Sequence, residues 1–505
     1  MLIRAFSRLV LFIGPFVIIW CMFVYFDGEQ YAEDWSEEFF THEKPAHSRP
    51  KEAESVTQQP PPAIPQEPAP NTNEPPTPNH DGNALSAIPN VPATADALPP
   101  AQDALPPFPN AETNEVAVDT SLYHEVFSTS RVDKKYFRIN FSPNHPAINP
   151  NILPHPTEDN TWIIVAQRDK PHEAVLEELV CNAIFQLDGS LACSTPPTAL
   201  PVAATHTEHC KGDLEYFSYG SGPHDMRVFY GPDAPYVIYG SQSAHTCFGL
   251  FMQDFRVLNS HDYALDALNA NFFATGTELQ RPQPWHDIEK NWFMFWDAQN
   301  KPYVHHDIAP KRVFAELLPD GSVGPDLAPA AAPSDEACMA RYMPKVGPEH
   351  ESIHQATNAL AVTMCARSDP NCVPNDDNTF ILTIFQHKKY VDFHAVYEPY
   401  VMLTQSVPPF TIHGISTKPI WIHGRGKLTR ESAKKFRGEG KVVPEGQTEM
   451  LYVTSVNWKE RAVRWRGFLD DVVMLGFGVE DERAAGLDVV VGELLGGLGL
   501  CADLG

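Results

Sequence analysis

From about Leu122 to the C-terminus, the sequence is a succession of short β-rich runs separated by Gly, Pro, Asn and Asp. The clearest runs are TWIIVAQ, RVFYG, PYVIYGSQ, NWFMFWD, PYVHHD, FILTIFQ, PYVMLTQ, MLYVTSVNW and VVMLGFG. Branched and aromatic side chains fit a pleated strand, whereas the separating residues favour turns. No long stretch of this region has the periodicity of an amphipathic helix. The pattern therefore predicts an all-β domain over residues 121–505.

Helical structure is expected only in three pieces, HEAVLEELVCNAIF, SHDYALDALNANFFA and DVVVGELLGGLG. Two other stretches resemble each other: VFYGPDAPYVIYG and FMFWDAQNKPYVHHD each combine an aromatic strand, a polar turn and a Pro-Tyr-Val that opens the next strand. They recur about 67 residues apart, a spacing that fits one blade of a β-propeller with insertions. Chance similarity of two hairpins, or a β-sandwich, would also explain them.

An apolar segment near the N-terminus, Leu9 to Phe26, contains no charged side chain. About 18 residues in a helix are just long enough to cross the core of a bilayer. Arg4 and Arg8 precede the segment and acidic residues follow it, so the positive-inside rule places residues 1–8 in the cytosol. No small-x-small cleavage site follows, which favours an uncleaved signal anchor over a cleaved signal peptide. The sequence thus predicts a single-pass type II protein of the Golgi, the secretory pathway or the cell surface, with a lumenal C-terminal domain.

Residues 27–120 are acidic and rich in proline, as in QQPPPAIPQEPAPNTNEPPTPNH, and they are poor in large apolar side chains. Such a segment cannot bury enough apolar surface to offset its chain entropy. Proline instead favours the extended polyproline II conformation. We therefore expect a disordered stalk between the membrane and the β domain.

Eight of the nine cysteines lie beyond the apolar segment, at positions 181, 193, 210, 247, 338, 365, 372 and 501. An even number in an oxidising compartment predicts up to four disulfides, whose connectivity the sequence does not define. Cys365 and Cys372, which bracket a short loop, are the best single pair. No Cys-x-x-Cys spacing is present, and the adjacent His305 and His306 would point to opposite faces of a strand, so no metal site is expected.

The net charge of −27 argues against a nucleic acid or an anionic membrane surface as partner. The expected membrane contact is Leu9 to Phe26 alone. The sequence also has no complete phosphate-binding loop, no Gly-x-Ser-x-Gly and no Asp-x-Asp, and no cofactor is expected. Basic residues inside a pocket of so acidic a protein would indicate an anionic ligand.

Four short motifs occur in an order that resembles glycoside hydrolase family 130, the mannoside phosphorylases, and the related β-1,2-mannosyltransferases. The family's G-x-x-D-P-R is matched by Gly222, Asp225 and Arg227, with Met226 in place of proline. E-K-N-W is similar to residues 289–292, and S-x-x-P-x-x-V to DIAPKRV, which lacks the serine. L-x-Y-Y-G-x-x-D resembles VMLGFGVED, which ends at Asp481. The patches lie between about residues 213 and 488.

The resemblance implies a five-bladed β-propeller that acts on mannose-type glycans with inversion. It implies that Asp225 protonates the departing glycosidic oxygen, directly or through a substrate hydroxyl, while phosphate or a sugar hydroxyl attacks from the other face. Arg227 and Lys290 would hold a phosphate or sugar phosphate, Asn291 would bind a sugar hydroxyl, and Asp481 would orient the site. The partner would be a glycan or sugar-phosphate substrate. The missing proline is expected to relax the turn after Asp225.

Simpler interpretations stay open for each of these residues. Asp225 with Arg227 would form an exposed cross-strand ion pair, Lys290 with Asn291 would form a turn, and Asp481 would cap the following segment. A non-catalytic glycan-binding propeller is the alternative to an enzyme. Hydrolysis would also require a general base for water, which the sequence does not identify.

Overall fold

A computed structural model describes residues 116–169, 175–220, 222–263, 273–347, 351–391, 394–436 and 442–504. The predicted cytosolic tail, the membrane anchor and nearly all of the stalk lie outside these residues, so those segments and their boundaries stay predictions. Within the described ranges, no helix is long and apolar enough to cross a membrane.

The described residues form a predominantly β fold, which confirms the predicted class. Before residue 200 the strands are β1 (His124–Val126), β2 (Phe137–Asn140), β3 (Ala147–Pro154), β4 (Trp162–Arg168), β5 (Glu178–Phe185), β6 (Leu191–Cys193) and β7 (Thr198–Ala199). Residues 224–316 contain β8 (His224–Tyr230), β9 (Pro235–Gln242), β10 (Phe248–Asp254), β11 (Thr277–Glu278), β12 (Phe293–Trp296), β13 (Pro302–Asp307) and β14 (Val313–Glu316).

The remaining strands are β15 (Ser352–Gln355), β16 (Leu360–Thr363), β17 (Thr379–Val391), β18 (His394–Gln405), β19 (Ile412–Ser416), β20 (Ile420–Ile422), β21 (Leu451–Trp458), β22 (Arg466–Phe468), β23 (Val472–Val479), β24 (Arg483–Val490) and β25 (Leu498–Leu500). The helices are α1 (Phe255–Leu258), α2 (Ala328–Tyr342) and α3 (Val491–Leu494), with 3-10 turns at Gly212–Ser218, Lys434–Phe436 and Cys501–Leu504.

Most of the strands form five antiparallel meanders that follow one another along the chain. The first meander is β3-β4-β5 with β6 and β7, the second is β8 to β11, and the third is β12 to β14. In the fourth, β15 and β16 both pair with β17, which is followed by β18, β19 and β25. The fifth is β21-β23-β24, and the N-terminal β2 completes it by pairing antiparallel with β24. An early strand therefore closes the last meander.

Clusters of buried apolar side chains lie between neighbouring meanders. One cluster contains Ile163 and Val228 of the first and second meanders, and another contains Met252 and Met294 of the second and third. A third contains Leu403 and Leu475 of the fourth and fifth meanders, and a fourth contains Ile164 and Met474 of the first and fifth. The second cluster also extends to Ile381 of the fourth meander. The apolar packing thus runs through all five meanders and returns to the first.

Side-chain amides connect the first strands of neighbouring meanders. Asn151 in β3 donates Nδ2 to Met226 O (2.8 Å) and accepts from Val228 N (3.0 Å) in β8. Asn358 makes the same pair of bonds to N and O of Val456 in β21, at 3.2 and 2.7 Å. An amide offers one donor side and one acceptor, as a neighbouring strand would. These side chains therefore replace main-chain pairing where the first strands do not form a ladder.

The nine β-rich runs noted in the sequence all contain strands. The two similar stretches are the hairpins β8–β9 and β12–β13, which open successive meanders. The expected helix in HEAVLEELVCNAIF is wrong, because residues 178–185 form β5, with strand partners on both sides. A short apolar run does not distinguish a buried strand from a helix, and pairing decided the outcome.

The other two helical expectations have mixed outcomes. SHDYALDALNANFFA falls largely outside the described residues. DVVVGELLGGLG is strand β24 as far as Val490, followed by the four-residue helix α3. Helix α2 was not predicted because Pro329 and Pro333 lie within it. Pro329 falls in the first turn, where a main-chain N–H has no helical partner to lose.

All eight cysteines beyond the apolar segment form disulfides, and the Cys365–Cys372 pair is confirmed. The others are Cys181–Cys193, Cys210–Cys247 and Cys338–Cys501. The last joins α2 to the C-terminal 3-10 turn across 163 residues.

Removal of the Cys338–Cys501 bond by a double Ser substitution is expected to lower the free energy of unfolding by about 5 kcal/mol, the chain-entropy value for so long a loop. The Cys365–Cys372 bond closes a separation of only 7 residues, and its removal is expected to cost about 2 kcal/mol. Denaturant unfolding of the two double variants measures the difference. Equal losses would contradict the loop-length argument.

Candidate functional site

A pocket lies where the second, third and fourth meanders meet. Four of the five residues predicted for the site line it: Asp225, Arg227, Lys290 and Asn291. The remaining lining residues are His224, Ile238, Gly240, Phe248, Leu250, Trp292, Gln355, Ala356 and Thr357. The first two of the four ordered motifs therefore converge in space, although 66 residues separate Asp225 from Asn291. No residue of the third or fourth motif is among the lining residues.

Asp225 lies at the start of β8, where the pairing with β9 is irregular. Its φ of 49° is in the left-handed region, which Asp tolerates better than most residues. Gly222 precedes it at φ 107°, where a Cβ would lie 2.3 Å from Leu176 O, so only glycine fits. Among the described residues, none donates a hydrogen bond to the Asp225 carboxylate or forms an ion pair with it. The carboxylate is therefore available to a ligand in the pocket.

Arg227 is buried, with 6% exposure, and is held by main-chain oxygens. Nε donates to Ala356 O (3.0 Å), and Nη1 donates to Asp225 O (2.7 Å) and Met226 O (3.3 Å). Nη2 donates to the Tyr452 hydroxyl at 3.3 Å. Since a guanidinium has five N–H donors, these four bonds leave one. Arg227 thus connects β8 to the fourth and fifth meanders, and its bond to Asp225 reaches the main chain, so the two do not form the exposed ion pair considered above.

Lys290 and Asn291 immediately precede β12. No hydrogen bond or ion pair links the Lys290 ammonium to any part of the chain that the structure describes. Asn291 has φ 63°, and its main-chain oxygen accepts from Gln355 Nε2 at 2.9 Å. Its Nδ2 lies 3.4 Å from His354 Nδ1. Burial, with the positive charge of Lys290, lowers the pKa of His354 to about 3, so this imidazole is neutral.

Other residues in or near the resembling motifs make structural contacts. Glu289 is buried and pairs with Arg281 at 3.0 Å. Trp292 and Trp296 are also buried, in the cluster that joins the second, third and fourth meanders. His305 has partners at both ring nitrogens, Gln355 Oε1 (2.5 Å) and Arg312 Nε (3.0 Å). In the described ranges, no three His, Cys, Asp or Glu side chains form a group that could hold a metal ion.

Asp481 is not among the lining residues of the pocket; it lies in the turn between β23 and β24. Glu480 and Asp481 have φ values of 57° and 50°, and Glu482 N donates to Val479 O at 3.1 Å. Two positive φ values at the centre of a hairpin are typical of a type I′ turn, which favours Asn-Gly. Glu and Asp adopt this conformation here only because other contacts impose it.

Glu480 supplies those contacts from a fully buried carboxylate. It accepts from Met450 N (2.5 Å) and His394 Nε2 (3.1 Å), and it lies 3.3 Å from Lys435 Nζ. Burial opposes its ionisation, but the His394 hydrogen bond and the Lys435 charge together keep its pKa below the usual value. The turn that carries Asp481 is thus anchored by an ionised side chain.

Asp481 and Asp225 are electrostatically coupled. Burial raises the pKa of Asp481 to about 7; Lys435 opposes this, and the charges of Glu480 and Asp225 reinforce it. Burial raises the pKa of Tyr452 to about 12, and the charges of both Asp225 and Asp481 add to this shift. Asp481 therefore belongs to the electrostatic surroundings of the pocket without lining it.

Several residues near the pocket were not selected from the sequence. Tyr397 and Tyr452 pack edge to face at 4.9 Å, and Lys388 Nζ lies 5.7 Å from the Tyr397 ring. Lys388 and Tyr397 are paired across β17 and β18. A single Lys or Tyr inside a strand run has no distinguishing signal. Only the position of Tyr452 near the start of a meander's first strand, as for Asp225, could have indicated its role.

No protein-family model matches the chain, and no match to a curated protein is found. Among solved structures, the chain is similar to a β-1,2-mannobiose phosphorylase from Listeria innocua, at 11% identity and a TM-score of 0.37, over 73% of this chain and 96% of that one. An arabinanase from Bacillus subtilis is similar at 9% identity and a TM-score of 0.32, over 68% and 94%. An endo-arabinase from Bacteroides thetaiotaomicron is similar at 9% and 0.34, over 70% and 96%. The first of these similar structures is a mannoside phosphorylase, the kind of enzyme that the motifs resemble.

Proposed function

We propose that this chain is an enzyme that acts on mannose-type glycans by inverting transfer or phosphorolysis, with Asp225 as the acid. One observation carries the proposal: the Asp225 carboxylate and the Lys290 ammonium line one pocket, and neither has a hydrogen-bond or ion-pair partner among the described residues. Such a reaction requires an acid and, when a phosphate or sugar phosphate takes part, a cation that binds it. In phosphorolysis, Asp225 gives its proton to the departing glycosidic oxygen as that bond breaks, and phosphate forms the new bond from the opposite face. In transfer from a sugar phosphate, which is the reverse step, Asp225 takes the proton of the attacking sugar hydroxyl as the phosphate leaves.

The pocket has a cationic side that suits a phosphate or sugar phosphate. Lys290 is the principal anion-binding group in this proposal, because Arg227 retains one N–H and acts mainly as a fixed positive charge. Lys388 lies close enough to influence the pKa of His354 beside Asn291. Such a concentration of positive charge in a protein of net charge −27 favours an anionic ligand. When phosphate is the nucleophile, no second catalytic carboxylate is required.

We interpret the five meanders as the five blades of a propeller. The closure of the fifth meander by β2 and the apolar clusters that return to the first meander support this interpretation. The start of each first strand would then face a shared central site, as Asp225 and Asn291 do.

Four disulfides favour an oxidising compartment. With the predicted anchor at residues 9–26, they support a type II protein of the secretory pathway or cell surface. Transfer suits such a compartment better than phosphorolysis, because it requires only an activated sugar and a growing glycan.

A panel of substrates tests the proposal. The full-length protein would be incubated with mannose 1-phosphate or GDP-mannose and mannosyl acceptors, and separately with phosphate and a mannobioside. We expect turnover with one donor and inversion at the anomeric carbon, detected by NMR of the product. Binding of mannosides without turnover would instead establish the non-catalytic alternative, and neither binding nor turnover would contradict both.

A further inference from the structure

A second carboxyl group lies directly behind Asp225, in the first meander. Glu178, at the start of β5, is 1% exposed, and its Oε1 accepts from Met226 N at 3.3 Å. Gln167, paired with Glu178 across β4 and β5, accepts from Asp225 N at 3.3 Å. Two neighbouring side chains therefore hold the amides of two consecutive residues, one of which is the proposed acid.

The contact with Glu178 exists only because Met226 replaces the proline of the resembling motif. Proline has no main-chain N–H and could not donate to Glu178. The expectation that the turn would be looser without proline is not met in the contacts: the Met226 side chain is buried, and Asn151 binds Met226 O at 2.8 Å. Hydrogen bonds from the first meander thus restrain the main chain at Met226, where a proline ring would restrain it in the resembling motif.

Glu178 has no counter-ion among the described residues. The titratable groups on the strands packed against it are His224, Asp225, Arg227 and Tyr230 on β8 and Arg168 on β4, while β7 contributes none. Arg168 pairs with Glu177, and the Arg227 guanidinium is bonded to main-chain oxygens and Tyr452. Burial raises the pKa of Glu178 to about 8. The Met226 hydrogen bond and the charge of Arg227 oppose this shift, and the charge of Asp225 adds to it.

We propose that Glu178 is a positioning residue that holds Asp225 in place and does so in its uncharged form. The inference rests on the proposed role of Asp225. At alkaline pH, ionisation of Glu178 puts a second negative charge beside Asp225 and weakens the hold on the acid. We therefore predict that activity falls at alkaline pH because Glu178, a residue outside the pocket lining, ionises.

The test compares Glu178→Gln and Glu178→Ala with the control variant Glu177→Gln. Glu177 is the adjacent residue, and its carboxylate pairs with Arg168. Wild type and Glu177→Gln are expected to lose turnover by about tenfold per pH unit above the Glu178 pKa. Glu178→Gln keeps an acceptor for Met226 N but cannot ionise, so the part of the loss that begins at the Glu178 pKa is expected to disappear. Glu178→Ala removes the acceptor and is expected to lower kcat at all pH values.

Thermal unfolding and the ¹³C chemical shift of the Glu178 carboxyl test the same inference without any activity. A raised pKa stabilises the fold fully below the unfolded value, and this contribution is lost as pH rises towards about 8. The difference in Tm between Glu178→Gln and wild type is therefore expected to increase from pH 5 to 8. A carboxyl that titrates near pH 4, or the same alkaline limb in Glu178→Gln and wild type, would overturn the inference. An inactive protein whose Glu178 titrates near pH 8 would contradict the proposed function alone.

Discussion

Replacement of Asp225 by Asn is expected to reduce kcat/KM for mannosyl transfer or phosphorolysis by about 10³-fold, the middle of the range for loss of a general acid. An amide cannot supply the proton that the departing oxygen requires. Asn also tolerates the left-handed φ of 49°, and the Asp225 carboxylate makes no hydrogen bond to the described residues. The fold and the affinity for an unreactive mannoside are therefore expected to be retained. Steady-state kinetics and calorimetric titration measure the two effects.

The matched control is Asp233→Asn, because Asp233 is exposed in the turn of the same β8–β9 hairpin. It removes one negative charge from the same element without touching the pocket. Full activity is expected in this variant. If Asp225→Asn were equally active, Asp225 would not be the acid, although the description of the fold would be unaffected.

The strands of this protein could be predicted from local sequence because their signals are local. Alternating apolar residues, aromatic side chains and turn residues act over fewer than about ten positions. The two stretches that contain Pro-Tyr-Val both form hairpins that open a meander. Helix α2 and strand β5 were missed, since in each case tertiary contacts outweighed a local preference.

The candidate site shows the same division between local and distant signals. Asp225, Lys290 and Asn291 could be selected because each lies in a short motif beside a strand. The role of Arg227 as a link between meanders could not be predicted, because its partners Ala356 and Tyr452 are 129 and 225 residues away along the chain. Glu178 was hidden for the same reason, since it lies in a run that resembled a helix. When a side chain contacts the site from another meander, the residues around it in the sequence give no signal of that contact.

Replacement of Glu480 by Gln is expected to lower the free energy of unfolding by about 3 kcal/mol, as for removal of one partner of a buried ion pair. The carboxylate satisfies Met450 N, His394 and Lys435 together, and Gln cannot balance the lysine charge. Because Glu480 also holds two residues at positive φ, the turn is expected to rearrange and move Asp481. Denaturant unfolding and steady-state kinetics measure the two consequences.

The variant Asp481→Asn distinguishes the effect of the Asp481 charge from the effect of the turn conformation. It removes the charge, and Asn accepts the same backbone conformation. The raised pKa means that Asp481 favours the folded state below about pH 4 and loses this contribution as pH rises through about 7. In Asp481→Asn, the contribution of Asp481 to the pH dependence of Tm is expected to disappear. Glu480→Gln is expected to be less stable but to keep that contribution of Asp481. If Glu480→Gln unfolds more easily but keeps the wild-type kcat, the turn supports the fold alone, and Asp481 does not orient the site around Asp225.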